Sequence, residues 1–290
     1  MIINMKRVAL INDLSGFGKC SLTAAIPVIS VMGIQACPLP TAILSAQTGF
    51  ENYYCDDFTD RMDCFTNEWK KMGVSFNGIY SGFLASALQI EKVINFLKEF
   101  ETQDTLYLAD PVMGDNGKGY DMFTKQLLNG MKRLTKRANI ITPNLTELCM
   151  LADKDYDELV AHKHDDDYIE QIQSICEGLA KEADREQTVM VTGIIRRKSD
   201  KEYIGTLAVS KKSDKFESYY IETVYTGKSF SGTGDLFAST ICGSLINGES
   251  VNEALDKATS FLQTAIEDAS QLDIIPQHGV QFEKYLSKLI

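Results

Sequence analysis

The stretch Ser231-Gly232-Thr233-Gly234-Asp235-Leu236-Phe237 decides how the chain is read. Its glycines stand just ahead of an apolar helical stripe formed by Phe237, Ile241 and Leu245. Glycines in that position let successive backbone N–H groups face one point, where the helix dipole also favours negative charge. A carboxylate in the first turn, Asp235, is placed to accept the proton of an attacking hydroxyl. The combination suits phosphoryl transfer to an alcohol, in which negative charge collects on phosphate oxygens and fixed donors stabilise it. A capped helix after a glycine turn, with Asp235 merely complementing the dipole, gives the same string, so its surroundings have to decide.

Outward from this stretch, short β-rich runs alternate with amphipathic helical patterns. Residues 6–12 read as a first strand and 21–32 as a helix. Residues 78–81 read as a short strand, and Leu88, Val93, Ile94, Leu97 and Phe100 share one helical face. Residues 105–109 form a further strand, followed by the stripe Leu127, Leu128, Met131 and Leu134. A strand over 138–142 is stopped by Pro143, which biases its neighbour away from helix. Ile169, Ile172, Ile175, Cys176 and Leu179 give another helix, and 188–192 another strand. Residues 203–209 and 216–221 read as an antiparallel hairpin across a polar turn, and 251–269 as a long helix. Such alternation predicts an α/β fold with a mostly parallel sheet and crossover helices. With no internal repeat, low-complexity tract or linker, one domain over residues 1–290 is expected.

Several predicted strands end in polar residues: Asp13, Ser81, Asp110, Asn144 and Thr192. In open α/β sheets, ligands bind outside the carboxyl ends of the strands. Each residue alone reads equally well as a helix cap or turn former; the set reads as a site.

Composition narrows the classes further. A chain of 290 residues, 44% hydrophobic and 24% charged, can bury a full-sized core and is neither disordered nor fibrous. Lys plus Arg number 29 against 40 Asp plus Glu, a net charge of −11 that excludes a basic footprint for nucleic acid. Positive potential for an anionic substrate must therefore be local, from backbone N–H groups, a metal ion and a few lysines. Apolar runs fall short of the roughly 20 residues that cross a bilayer. The first ten residues lead straight into a strand without an apolar leader, so a cytoplasmic setting is expected. Seven scattered cysteines without a C-x-x-C pair form neither a disulfide framework nor a zinc site, and most are expected to be small buried residues. His162 and His164 lie in a charged stretch, 153–167, read as a solvated loop, and His278 has no evident partner. A hydrolytic triad has nothing to stand on.

Two further motifs fail on spacing. Gly16-Phe17-Gly18-Lys19-Cys20-Ser21 approaches a phosphate loop, but G-x-x-x-x-G-K-[ST] needs Gly at 13 and Ser or Thr at 20, where Asp13 and Cys20 stand. G-x-G-x-x-G fails as well, because position 21 is Ser21. These glycines read instead as places where the chain passes close to substrate.

Three motifs together carry a resemblance: Gly232-Thr233-Gly234-Asp235-Leu236-Phe237, Asp110-Pro111-Val112-Met113-Gly114-Asp115 and Thr142-Pro143-Asn144-Leu145-Thr146-Glu147-Leu148. In order and spacing they resemble the ribokinase-like superfamily, and more narrowly its vitamin B6 kinases. Ser45-Ala46-Gln47-Thr48-Gly49-Phe50 and Ser81-Gly82-Phe83 fit too, and the match runs from about residue 6 to about residue 265. The resemblance implies a three-layer α/β/α fold and ATP-dependent phosphorylation of the 5′-hydroxymethyl group of pyridoxal, pyridoxamine or pyridoxine. It makes Asp235 the base and Gly232, Thr233 and Gly234 the anion hole. It gives Asn144, Glu147 and Asp110 to Mg²⁺, largely through water, and Asp110, Asp115, Thr192 and Asn144 to ATP and its phosphates. Asp13, Gln47, Thr48 and Phe83 fall to the acceptor, with Phe83 stacking on its ring. A homodimer and stimulation by K⁺ are implied as well. Residues 115–120 are rich in turn formers and read either as a flap over ATP or as a plain surface turn.

This chain departs from the B6 pattern on the acceptor side. Many of those kinases have Ser where Asp13 stands, His where Gln47 stands and Tyr where Phe83 stands. Related hydroxymethylpyrimidine kinases often place Cys at the position of Asp235. A hydroxymethylpyrimidine or sugar kinase of the same superfamily is the rival enzyme; a non-catalytic nucleotide- or B6-binding regulator is the rival of another class.

Overall fold

A computed structural model describes residues 5–120, 124–213 and 215–290. Residues 1–4 of the expected lead-in and position 214 of the expected hairpin turn lie outside the described residues. The chain forms two compact units, residues 1–108 with 226–290, and residues 109–225.

The first unit begins with β1 (Arg7–Ser15), α1 (Ser21–Val31), β2 (Gln35–Leu44), β3 (Cys55–Asp57), α2 (Thr59–Lys71), β4 (Gly78–Ser81), α3 (Ala87–Phe100) and β5 (Leu106–Ala109), whose last residue opens the second unit. The sheet order is β5-β4-β1-β2-β3. β1 is central, parallel to both β2 and β4, and the short β3 runs antiparallel along the end of β2. A central parallel strand is covered on both faces, so it needs a continuous apolar run. Val8, Ala9, Leu10 and Ile11 supply it and are fully buried. The strand runs three residues further than expected, because pairing with β2 continues past a register shift between Asn12 and Leu14. Asp13 therefore sits inside the strand, at the irregularity, where such a shift re-aims side chains. Beside the sheet, α3 buries Ile90, Val93, Phe96 and Leu97, and its Phe96 and Phe100 rings pack with centroids 4.6 Å apart, tilted by 41°.

The second unit contains the hairpin β6 (Gly114–Asp115) and β7 (Lys118–Gly119), then α4 (Lys125–Thr135), β8 (Ile140–Ile141), α5 (Leu145–Leu151), α6 (Tyr156–Ala161), α7 (Tyr168–Glu182), β9 (Thr188–Lys198), β10 (Lys201–Lys212) and β11 (Lys215–Val224). β8 is parallel to β9, and β9, β10 and β11 form an antiparallel meander. Thr192 is not a strand end, since β9 continues to Lys198 against β10. It is where the parallel pairing ends, at a bridge to Asn144. The stretch 153–167 is not all loop. Asp155 accepts from the Glu158 N–H and caps α6, which buries Leu159, and His162 Nδ1 pairs with Asp165 Oδ2 at 2.7 Å.

The chain returns to the first unit with α8 (Thr233–Ile246), α9 (Val251–Gln271) and two 3-10 segments, Pro276–His278 and Phe282–Leu289. A capping box of Ser250 and Glu253 starts α9. Among the described residues, no helix is long and apolar enough to cross a membrane. Cys20, Cys149, Cys176 and Cys242 are buried as expected, but Cys55 and Cys64 are exposed. Those two lie on the edge strand β3 and on α2, a helix with few buried residues.

Candidate active site

In the first unit the site is built where α8 begins. Its N-cap, Gly232, has φ +80°, and a Cβ there would run into the Lys19 carbonyl, so glycine is required. Thr233 Oγ1 donates to the Phe230 carbonyl at 3.0 Å, which fastens the turn. Gly234 is exposed, with open space where a side chain would begin. The first-turn N–H groups of a helix have no partner inside it, and Gly234 is one of the first-turn residues.

Asp235, one residue further on, is partly buried. Asn12 Nδ2 donates to its Oδ1 at 3.1 Å, and the Ser21 N–H donates to the same carboxylate. Ser21 has φ +50°, a strained backbone for a non-glycine residue and of the kind that clusters at functional sites. Asn12 is the hub. Its Oδ1 accepts from the backbone N–H groups of Asp13 at 3.0 Å and Phe83 at 2.8 Å. Asp13 is buried, and its Oδ2 accepts from Ser15 Oγ at 2.8 Å. Burial pushes the Asp235 carboxyl up to about 6; the Ser21 N–H opposes this and the charge of Asp13 adds to it. Burial also raises Asp13. The Cys20 thiol, buried beside both carboxylates, is pushed up to about 12 and stays neutral. Asp235 is thus ionised at neutral pH, yet more basic than an ordinary aspartate, as a general base should be.

The other residues that the resemblance gives to the acceptor behave differently. Thr48 is exposed, and Phe83 is half-buried with its carbonyl accepting from Thr41 Oγ1 at 3.0 Å. Gln47 is buried, and its carboxamide faces protein groups: Nε2 donates to Ser231 Oγ and to the Gln277 carbonyl, and Oε1 accepts from the Gly49 N–H. His278 does have partners, the rings of Phe17 at 5.4 Å and Phe50 at 5.8 Å. Sequence reasoning passed over Asn12, Ser15 and Ser21. The available signal was Asn12 itself, an amide at the end of a run of fully apolar strand residues.

In the second unit the site is built where α5 begins. Asn144 caps the helix through a capping box: its Oδ1 accepts from the Glu147 N–H at 2.9 Å, and Glu147 Oε2 accepts from the Asn144 N–H at 2.8 Å. Asn144 Nδ2 donates to the Gly114 carbonyl at 2.8 Å, and the Met113 N–H donates to Glu147 Oε1 at 3.0 Å. The cap is therefore stitched to the segment after β5. Asp110 Oδ1 accepts from Thr142 Oγ1 at 2.9 Å. Burial and the negative charge of Asp110 push Glu147 well above the usual carboxylate range, against three backbone N–H groups that favour its ionised form. Two buried neighbouring carboxylates ionise together only if positive charge comes near. A hard cation such as Mg²⁺ fits that demand. Both oxygens of Glu147 already accept from N–H groups, so contact through water suits it better than direct ligation. Among the described residues, no cluster of three or more His, Cys, Asp and Glu converges as a metal cage.

Thr192 lies beside this cap, its N–H donating to the Pro143 carbonyl at 3.0 Å. Asp115 is exposed, and its carboxylate accepts from the N–H and side chain of Asn116, both at 2.9 Å. It fastens the Asn-Gly turn between β6 and β7, which is further held by the Gly117 N–H donating to Thr146 Oγ1 at 2.9 Å. The first unit thus gathers Asp13, Asp235 and the Gly232–Gly234 turn around Asn12, and the second gathers Asp110, Glu147, Asn144 and Thr192.

Residues 21–280 match the sequence model of a family described as phosphomethylpyrimidine kinase. A crystal structure from Bacteroides thetaiotaomicron, provisionally designated a phosphomethylpyrimidine kinase, is 36% identical, with a TM-score of 0.90 over 100% of this chain and 95% of that one. A second crystal form, described as containing pyridoxal, gives 0.89 over 99% and 96%. The pyridoxine kinase of Bacillus subtilis is 27% identical over 69% of this chain and 68% of its own length. A pyridoxal kinase of Actinobacillus pleuropneumoniae is 26% identical over 66% of this chain. That match spans 63% of the relative, just under two thirds of its length.

Proposed function

Because this chain belongs to the phosphomethylpyrimidine kinase family, we propose that it is an ATP-dependent kinase for the 5′-hydroxymethyl group of a B6 vitamer. The observation that carries the reading is Asp235, held by Asn12 and the Ser21 N–H beside the open first turn of α8. Asp235 accepts the proton of the acceptor hydroxyl. The oxygen attacks the γ-phosphorus in line, the new O–P bond forms as the bond to the β-phosphate oxygen breaks, and ADP leaves. The N–H groups of the turn from Gly232 to Gly234 offset charge on the transferring phosphoryl group. Asp13, Thr48 and Phe83 address the acceptor ring. Asp110, Asn144, Glu147 and Thr192 serve the triphosphate, with Asp115 at the rim. Bound there, Mg²⁺ supplies charge neutralisation on the phosphates; K⁺ stimulation belongs to the same proposal. So do action as one kinase domain, a cytoplasmic setting and a homodimer, for which the exposed Ile43, Tyr53 and Tyr54 along the β2–β3 edge offer apolar surface.

The pyridoxal-containing relative and the curated B6 kinases support a vitamer as acceptor, while the family description names a phosphomethylpyrimidine and gives the hydroxymethylpyrimidine alternative no better support. A steady-state panel of pyridoxal, pyridoxamine, pyridoxine, hydroxymethylpyrimidine and ribose decides between them. Vitamers are expected to give the highest kcat/KM. Tight vitamer binding without acceptor-dependent ADP formation would instead identify a regulator. Asp235→Asn should keep ATP affinity while lowering kcat at least about a hundredfold, the size of a lost general base. Near-parental turnover in that variant removes the base assignment.

A further inference from the structure

Four segments of the first unit meet around the side chain of Gln47: the glycine-rich turn 16–19, the acceptor turn 47–50, the entrance to α8 at Ser231, and the C-terminal segment 275–283. The Gln47 N–H donates to the Phe17 carbonyl at 2.9 Å. Gly18 passes so close that a Cβ there would lie 2.6 Å from Gln47 Cγ. Gln47 Nε2 donates to Ser231 Oγ at 3.2 Å and to the Gln277 carbonyl at 3.1 Å, and Oε1 accepts from the Gly49 N–H at 2.7 Å. The amide orientation follows from its partners, since a carbonyl must face the NH₂ end and an N–H must face the oxygen. Around this centre the Ser231 N–H donates to the Pro276 carbonyl at 3.1 Å, and Phe17, Phe50 and His278 contribute one ring each from three of the segments. Lys19 closes the outside with an ion pair to Glu283 at 2.7 Å.

Both ends of the Gln47 amide are thus engaged by the chain itself. From this geometry we infer that Gln47 is a positioning residue: it clamps Ser231, the residue ahead of the Gly232–Gly234 turn, to the acceptor turn and the C-terminal segment. It thereby fixes where the first-turn amides of α8 stand relative to the acceptor hydroxyl. The inference rests on the phosphoryl-transfer reading above, and it replaces the direct substrate contact that the family resemblance implies for Gln47. A clamp of this kind acts on the transition state. Its loss misaligns donors by a fraction of an ångström and slows the reaction, while ground-state binding of the acceptor is little changed.

The test is steady-state kinetics and thermal unfolding of Gln47→Leu, Ser231→Ala, their double variant and Gln47→His. Gln47→Leu keeps the volume and loses the hydrogen bonds; kcat should fall about tenfold or more, with acceptor KM within about threefold. Ser231→Ala should move kcat in the same direction by less. The double variant should be no slower than Gln47→Leu alone, because the two residues share one interaction. Gln47→His, whose ring donates from one nitrogen and accepts at the other, should recover much of the rate. If Gln47→Leu does not fold, Ser231→Ala carries the same kcat-against-KM split, with Gln47→His as its near-parental control. An acceptor KM raised about tenfold with kcat unchanged marks a ground-state ligand and overturns the inference, as do parental kinetics in Gln47→Leu. The outcome for the function is separate. If the parent enzyme prefers hydroxymethylpyrimidine, the vitamer assignment fails and the split is read on that acceptor. If it phosphorylates no acceptor, both fail.

Discussion

At the scale of single residues, the placement of Asp235 sets stability against its proposed role as a base. Its carboxyl is raised from an ordinary value of 3.8 to about 6, first by burial and further by Asp13. An acid whose pKa is higher folded than unfolded binds its proton more tightly in the native state. Its contribution to stability is therefore fully present at low pH and declines as pH rises from about 3.8 to about 6. Above that window the folded protein carries the cost of an ionised, poorly hydrated carboxylate. Asp235→Asn removes that cost and keeps the shape. It should unfold later than the parent at pH 7.5, by up to ~3 kcal/mol for a shift of about two units, with the margin closing near pH 4. Denaturant titrations at the two pH values measure this; an equal or lower stability at pH 7.5 contradicts it. Kinetics should mirror the same titration, with kcat/KM of the parent falling as pH drops below about 6 and the base becomes protonated. Asp13→Asn should move that acid limb downward, since one of the two causes of the shift is gone.

At the scale of elements, the entrance to α8 is the least replaceable piece. Gly232 combines φ +80° with the Lys19 carbonyl at its missing side chain. Gly232→Ala is expected to cost more than the ~1 kcal/mol of a simple left-handed penalty, because either the Lys19 segment or the turn must move. Melting should drop by several degrees and kcat by at least about tenfold, with about a hundredfold expected if one oxyanion donor is lost outright. Parental kinetics in a folded variant would show that the turn tolerates displacement. This element was legible in the sequence because its glycines and apolar stripe are local signals. β1, α3 and the β10–β11 hairpin were legible for the same reason: their periodicity is carried by their own residues. β2 was not, because Pro38 and Pro40 argue against a strand. The structure tolerates them since β3 pairs with β2 only at Ala42, Ile43 and Leu44, leaving the proline stretch unpaired on that side. α2 escaped notice because it buries only Thr59 and Met62, too few for a stripe. In the site, the motif residues were readable as types, but the connections were not. That Asn12 reaches Asp235 across 223 positions of sequence, and that Gln47 spends its amide on Ser231 and Gln277, depends on chain crossings that no local pattern encodes.

At the scale of the whole molecule, the proposed functional residues divide along the same line as the fold. Asp13, Asp235 and the turn at Gly232 belong to the unit of residues 1–108 and 226–290; Asp110, Asn144, Glu147 and Thr192 belong to residues 109–225. Each group is fixed by hydrogen bonds inside its own unit, Asn12 tying Asp13 to Asp235 in one, and the Asn144–Glu147 cap tying Met113 and Gly114 in the other. The chain carries a net charge of −11, so an anionic nucleotide gains nothing from the general field and depends on a local arrangement of amides and metal. The two ligands should then be separable by mutation. Glu147→Gln keeps one of the two accepting oxygens, sets an NH₂ against the other backbone N–H and lowers the charge available to Mg²⁺, and it should weaken Mg·ATP binding by about tenfold, the lower bound for disturbing groups that support a metal. Vitamer binding measured without nucleotide should stay within about twofold of the parent, as expected for sites with no shared partners. Asp13→Asn should do the reverse, weakening the vitamer and sparing the nucleotide. Calorimetric titrations of each ligand alone, on both variants, provide the comparison. Equal losses for both ligands in either variant would mean that its carboxylate serves the fold as a whole rather than one half of the reaction.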